Sequence, residues 1–239
     1  MIERQGCDWQ AGTVPAILLS MSRGDSSRVT PYETGLRRRA DIIDQASKHF
    51  ARYGYHGASL REIASRTGVS HAGLRYHFST KEELLMEVLA RRERFGSELV
   101  ALDELPEEPT TEQAWLLVER FVDLMKMSFS QPGFIELFIT QAVFAAHEDH
   151  PAHEFFQRRY RTMRAEYTQG LSAIKAAGLL KPGIEPESAA TALIGFLDGL
   201  QIQWLLEKKG VDYMEVSRRF MRALVADEHL DQIDDFFAA

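Results

Sequence analysis

Between Ser59 and Phe78 the chain has room for two helices of about two turns each, and nothing longer. Ser59-Leu60-Arg61-Glu62 reads as a capping box, in which a serine and a glutamate each satisfy a free backbone N–H at a helix start. Gly68 ends that helix after Thr67, and Ser70 is a good N-cap for the next. Isolated helices this short are marginal in water, so this pair needs a third element to pack on. The preceding residues 36–53 supply one: Leu36, Ile42, Ile43, Ala46 and Phe50 recur at three- and four-residue steps, and Gly54 follows as a C-terminal cap. Ile63, Val69, Leu74 and Phe78 can close a small core, Gly68 tolerates positive φ, and Ala64 lets the two short helices approach. Three unequal helices with a glycine in the last turn fit a helix-turn-helix, whose second short helix offers its first turn to the major groove.

Charge supports a polyanion partner. The whole chain carries −7. Residues 34–81 hold nine basic side chains (Arg37, Arg38, Arg39, Lys48, Arg52, Arg61, Arg66, Arg75, Lys81) against Asp41, Asp44 and Glu62. That segment is therefore +6 and the remainder −13. A basic segment on an acidic body suits a nucleic-acid reader joined to a separate partner domain; the alternative is a solvated basic helix face.

The rest of the chain is read as helical, giving an all-α fold. Thr80-Lys81-Glu82-Glu83 opens a long helix over 81–102, and Pro106 and Pro109 interrupt it. Further helices are expected over 110–130, 134–148, 151–177, 186–208 and 212–226, with Pro132-Gly133 as a turn. Residues 1–33, rich in Gly, Ser and Thr, are expected to form a mobile tail, with Met21 an alternative start; 227–239 are expected to form an acidic tail. The run 16–19 is too short, and too acidic in its lead-in, for a secretory leader. No apolar run reaches the roughly 18 residues that span a bilayer; the longest, 189–206, is interrupted by Asp198, Gln201 and Gln203. Cys7 is the sole cysteine, so no intrachain disulfide can form.

The stretch Ile42-Ile43, Phe50-Ala51-Arg52-Tyr53-Gly54-Tyr55, Ser59 to Ala64, Thr67 to Ser70, Leu74 to Phe78 and Lys81 to Leu85 resembles the TetR family of bacterial transcriptional regulators, in order and in spacing. Leu197-Asp198-Gly199-Leu200 and Trp204-Leu205-Leu206 look like the C-terminal half of BetI-type members. The resemblance implies an N-terminal DNA-binding domain over 34–80 and a helical effector-binding and dimerisation domain over 81–226. It implies a cytoplasmic homodimer, without a cofactor, membrane partner or enzymatic activity, that binds a palindromic operator on double-stranded DNA. Repression relieved by a small-molecule effector is the commoner family habit.

Residue by residue, the resemblance implies that Ser59 caps its helix and touches a phosphate, and that Arg61 reaches a base edge or phosphate. Ser70, His71, Ala72, Gly73, Arg75, Tyr76 and His77 would form the reading surface, and Lys81 would grip the backbone. The family usually has tyrosine where Arg75 stands. Arginine can bind guanine O6 and N7 with two bonds, worth roughly 1–3 kcal/mol of discrimination, or can contact phosphate alone.

Trp115, Phe121, Met125, Phe138, Tyr160, Met163 and Tyr167 are candidates to line an effector pocket for an apolar or cationic molecule, or else belong to the core. Asp198 lies in an apolar stretch and needs a partner, either a cationic ligand or an arginine or backbone group across a dimer. Gly195 and Gly199, four apart, would permit close helix approach at a dimer face joined by Trp204, Tyr213 and Phe220.

A helical metal-binding protein or enzyme that contains a helix-turn-helix is the alternative. His147, His150 and His153, beside Glu148 and Glu154, could ligate zinc, although Pro151 breaks the helix between them. Asp231, Asp234 and Asp235 have no second acidic cluster to complete a metal site. The chain has no Gly-x-Ser-x-Gly, His-Glu-x-x-His or P-loop motif.

Overall fold

A computed structural model describes residues 31–102, 106 and 109–238. Its helices are α1 (Pro31–Gly57), α2 (Leu60–Thr67), α3 (His71–His77), α4 (Lys81–Val100), α5 (Thr111–Phe129), α6 (Pro132–Phe144), α7 (His153–Ala176), α8 (Pro186–Leu206), α9 (Tyr213–Leu224) and α10 (Leu230–Ala238). Among the described residues the sole β feature is a bridge between Leu180 and Val225. The chain divides into two compact units, Met1–Arg38 and Arg39–Ala239. Of the first, only the opening turns of α1 are described. Pro31 already lies in that helix, inside the stretch expected to be a tail, and residues 1–30 lie outside the described residues.

The short helices start and stop where their caps dictate. Ser59 Oγ accepts from Glu62 N at 3.3 Å and donates to the Glu62 carboxylate at 2.8 Å. Gly68 ends α2 in the left-handed conformation, φ 66° and ψ 20°, which costs glycine little. Ser70 Oγ accepts from Gly73 N at 3.0 Å. Gly54 does not end α1; at φ 69° and ψ 171° it kinks the chain, which regains helical hydrogen bonding to Gly57. Ile42, Phe50, Ile63, Leu74 and Phe78 are each fully excluded from water, with Ala64 beside them. This core runs on without a break through Leu84, Leu85, Val88 and Leu89 of α4 to Leu137, Ala152 and Phe156 of the body.

In the body, α7 and α8 pack along each other and form its most extensive helix pair. Pro132-Gly133 is not a free turn but the first turn of α6. A Cβ at Gly133 would lie 2.1 Å from the Ala51 carbonyl oxygen, so α6 abuts α1 at a point where only glycine fits. By length and composition α8 could cross a membrane, contrary to the sequence expectation. In the fold, its Leu200 and Trp204 pack with Met125, Phe129 and Ile135, while Ala189 and Ala190 enter the cluster around Trp115.

The expected acidic tail over 227–239 is corrected by the structure. Asp227–His229 form a 3-10 turn and α10 follows directly. Ile233 is fully buried among Trp115, Val118, Leu179 and Met221. Asp234 receives Arg218 at 2.7 Å and Arg222 at 2.5 Å, and Lys126 Nζ donates to the Phe236 carbonyl at 3.1 Å. The apolar residues between the acids decide the outcome, because they meet the α5 and α9 faces and bring the carboxylates against arginines. Ile233→Ala should lower stability by roughly 2–5 kcal/mol, the usual cost of emptying a core site. Chemical denaturation measures it; a midpoint unchanged from the parent would mean that the segment is a tail after all.

Candidate nucleic-acid interface and ligand cavity

The residues proposed to read DNA are brought together on one edge. Ser59, Arg61, Ser70, His71, Ala72, Arg75 and Tyr76 are exposed, and Gly73 and His77 are half-buried. Tyr76 is 87% exposed, a large aromatic held in water by a helix whose opposite side is anchored through Leu74 and Phe78. Arg39 stacks its guanidinium 4.7 Å from the Phe78 ring centre, closing that core from the side.

Lys81 stands apart. Its ammonium donates to the carbonyls of Tyr55 at 3.0 Å and Ala58 at 3.1 Å, and sits 4.3 Å from the Tyr55 ring centre. The half-buried side chain is engaged by carbonyls at the end of α1 rather than extended into solvent like Arg75. Tyr55 completes the joint by donating to Glu82 at 2.5 Å. One turn further along α4, Glu87 pairs with Arg39 at 2.8 Å, and Arg91 donates to the Ala40 carbonyl at 3.4 Å. These bonds fix the first half of α4 to α1.

The second half of α4 borders a partly open cavity of about 520 Å³ that is also lined by α5, α6, α7 and α8. Phe121, Met125, Phe138, Tyr160, Met163, Tyr167 and Asp198 all line it. Trp115 does not, which corrects its assignment to the pocket: it lies in the neighbouring core, with its ring 5.6 Å from His229 and 5.9 Å from Phe236. Asp198 has its partner within the chain, since the Tyr160 hydroxyl donates to it at 2.8 Å. Burial raises the Asp198 pKa, against the lowering effects of that bond and of Arg159. Burial also raises the Glu166 pKa, although Ser97 donates to that carboxylate at 3.2 Å. The Tyr167 phenol is pushed up to about 12 by burial.

Sequence reasoning missed the charged part of the wall: Arg92, Glu93, Glu98, Arg159 and Glu166. Arg92 stands in the run Arg91-Arg92-Glu93-Arg94, which reads as a solvated helix face. Only its three-dimensional neighbours show that it turns inward.

Residues 42–88 match the family described as bacterial regulatory proteins, tetR family. Residues 136–233 match the C-terminal domain of the BetI-type transcriptional repressor. The chain belongs to the TetR family. It is a DNA-binding transcriptional regulator, and its carboxyl-terminal half is of the BetI type. Over 190 residues it is 22% identical to the fatty acid metabolism regulator protein of Bacillus subtilis, covering 79% of this chain and 94% of that one. Its fold resembles SmeT, the repressor of the Stenotrophomonas maltophilia multidrug efflux pump SmeDEF, with a TM-score of 0.61 and 21% identity over 79% of this chain and 91% of that one. It also resembles AibR, solved with isovaleryl coenzyme A and operator DNA, with a TM-score of 0.51 and 21% identity over 69% and 85% of the two chains.

The residues expected at a dimer face are divided by the structure. Gly195 and Gly199 have open space where a Cβ would stand. They share an α8 stripe with Ile202 and Leu206, exposed by 42% and 83%, and Val216 of α9 is also exposed. Trp204 is instead buried, edge-on to Phe129 at 5.1 Å, so it cannot serve as an exposed dimer contact. Tyr213 stacks on Phe129 and Phe220 on Phe196, each pair at 4.0 Å within this chain. The histidines near Pro151 are engaged with backbone: His150 Nδ1 accepts from Ala152 N at 3.2 Å, and His153 Nδ1 lies 2.8 Å from the Ala145 carbonyl. Among the described residues no group of three or more His, Cys, Asp or Glu could hold a metal ion.

The geometry at Lys81 gives it a place in the α1–α4 joint. Lys81→Ala should lower stability by roughly 1–2 kcal/mol, as two charge-assisted hydrogen bonds are lost. The slope of DNA affinity against salt should stay that of the parent. Denaturation and binding titrations at several salt concentrations check this; a shallower slope with unchanged stability would make Lys81 a phosphate contact.

Proposed function

We propose that this chain is a ligand-responsive repressor that binds a palindromic operator as a homodimer and releases it when a small molecule fills the cavity. The observation that carries this reading is the exposed edge running from Ser59 and Arg61 through His71–His77, held by a buried core that continues into α4. Ser70 and Gly73 present the first turn of α3, while Arg75 and Tyr76 extend into solvent where base edges and phosphates would meet them. The similar folds support such a role: SmeT is a repressor, and AibR was solved with operator DNA and isovaleryl coenzyme A.

A single reading head buries too little surface for tight operator binding, so two heads related by a twofold axis are required. The α8 stripe of Gly195, Gly199, Ile202 and Leu206, with Val216, supplies the self-complementary face: two glycines permit close approach and the apolar residues give the burial. Phe220 and Tyr213 would stiffen that face from behind. The switch follows from α4. Its first half is bonded to α1 and its second half walls the cavity, so a ligand that favours one position of that wall also favours one spacing of the heads.

Sequencing the genomic fragments that the protein retains tests the reading. A shared inverted repeat is expected, and retention should fall by roughly 10³- to 10⁵-fold between 50 and 200 mM salt if 6–10 phosphates are contacted. Retention without a common sequence would sink it. Arg75→Ala should cost roughly 1–3 kcal/mol at the operator and relax preference at one guanine position; equal losses on every operator variant would reduce Arg75 to a phosphate contact.

A further inference from the structure

The charged groups in the cavity wall are unevenly satisfied. Arg159 pairs with Glu93 at 3.6 Å, Asp198 accepts from Tyr160, and Glu166 accepts from Ser97. Arg92 has no carboxylate partner among the described residues. Its guanidinium reaches only the Ser128 hydroxyl at 3.4 Å and the Met127 sulfur at 3.8 Å, with its carbon 5.8 Å from the Phe134 ring centre. A guanidinium has five N–H donors in a planar fork, and these two weak contacts leave most of that capacity facing the cavity. Burial, reinforced by repulsion from Arg159, lowers the Arg92 pKa to about 10, so the group remains charged at neutral pH. An unpaired cation in such a place is costly. Its neighbours Phe134, Phe138, Leu124 and Ile135 form an apolar wall around the same space.

We infer that the cavity takes an amphipathic anion, a carboxylate on an apolar body, with the carboxylate seated on the Arg92 fork and the body against Phe134 and Phe138. A planar carboxylate matches the fork with two parallel hydrogen bonds and neutralises the charge that the fold leaves uncompensated. Of the four wall carboxylates, Glu93 is paired with Arg159, Glu166 and Asp198 each accept a hydrogen bond from the chain itself, and Glu98 is exposed to solvent at the rim. Arg92 stands one residue beyond Arg91, which is bonded to α1, so the anion would act on α4 where its anchored half ends. The inference rests on the reading of the cavity as the effector site.

Calorimetric titration of the full chain with decanoate, decan-1-ol and decylamine tests both levels separately. Decanoate should bind roughly 10- to 100-fold more tightly than decan-1-ol, the ratio expected from hydrogen bonds to a charged group. In Arg92→Gln that preference should vanish while decan-1-ol affinity is kept. Arg92→Lys, which retains the charge without the fork, should lose several-fold for decanoate and serves if the glutamine variant fails to fold. Equal binding of decanoate and decan-1-ol, or tighter binding of decylamine, would overturn the anion while leaving the cavity as an effector site. No binding of any of the three would overturn the cavity reading as well.

Discussion

The two shortest helices depend on a core that they do not own. At 8 and 7 residues, α2 and α3 are below the length at which a helix holds itself in water. What fixes them is the exclusion of Ile63, Leu74 and Phe78 from solvent against Ile42 and Phe50 of α1, with Leu84 and Leu85 of α4 beneath. Each large apolar side chain buried there contributes on the order of 1.5–3 kcal/mol. Because Leu74 and Phe78 point inward, Arg75 and Tyr76 must point outward, and the exposure of this edge is a consequence of packing behind it.

That core has no seam at the start of α4. Arg39–Glu87, Lys81 on the Tyr55 and Ala58 carbonyls, and Tyr55 on Glu82 tie α4 to α1 by charge and hydrogen bonds, and Val88 and Leu89 continue the apolar contact. Gly133 adds a contact from the body, placing the first turn of α6 against the Ala51 backbone with no space for a side chain. The body is therefore joined to α1 at two places, along α4 and through α6. Tightly packed elements shift as units because their interiors yield little.

The cavity is unlike the rest of the interior. Elsewhere buried side chains are almost all apolar, whereas this wall mixes aromatics with arginines and carboxylates. Such groups are expensive to shield from water, and the chain meets Glu93, Glu166 and Asp198 from within while leaving Arg92 poorly met. That asymmetry sets this wall apart from the apolar core around it.

The sequence by itself determined the local punctuation. Ser59, Gly68, Ser70, Thr80, Thr110 and Asp212 end or begin helices because their side chains, or the lack of one, satisfy backbone groups within a few residues. The inward or outward sense of the side chains on α3 was also legible, since its period is local. Only the tertiary structure decided which long-range partner each side chain found. Trp115 and Phe121 lie two turns apart on α5, yet one packs under α10 and the other faces the cavity. Lys81 was legible as a cation but is engaged by carbonyls more than twenty residues away. Asp234 belonged on paper to a loose acidic end, and Arg92 to a solvated run. Their fates differ from those expectations because charge and hydrophobicity fix what a side chain needs, whereas the fold fixes which neighbour is close enough to supply it.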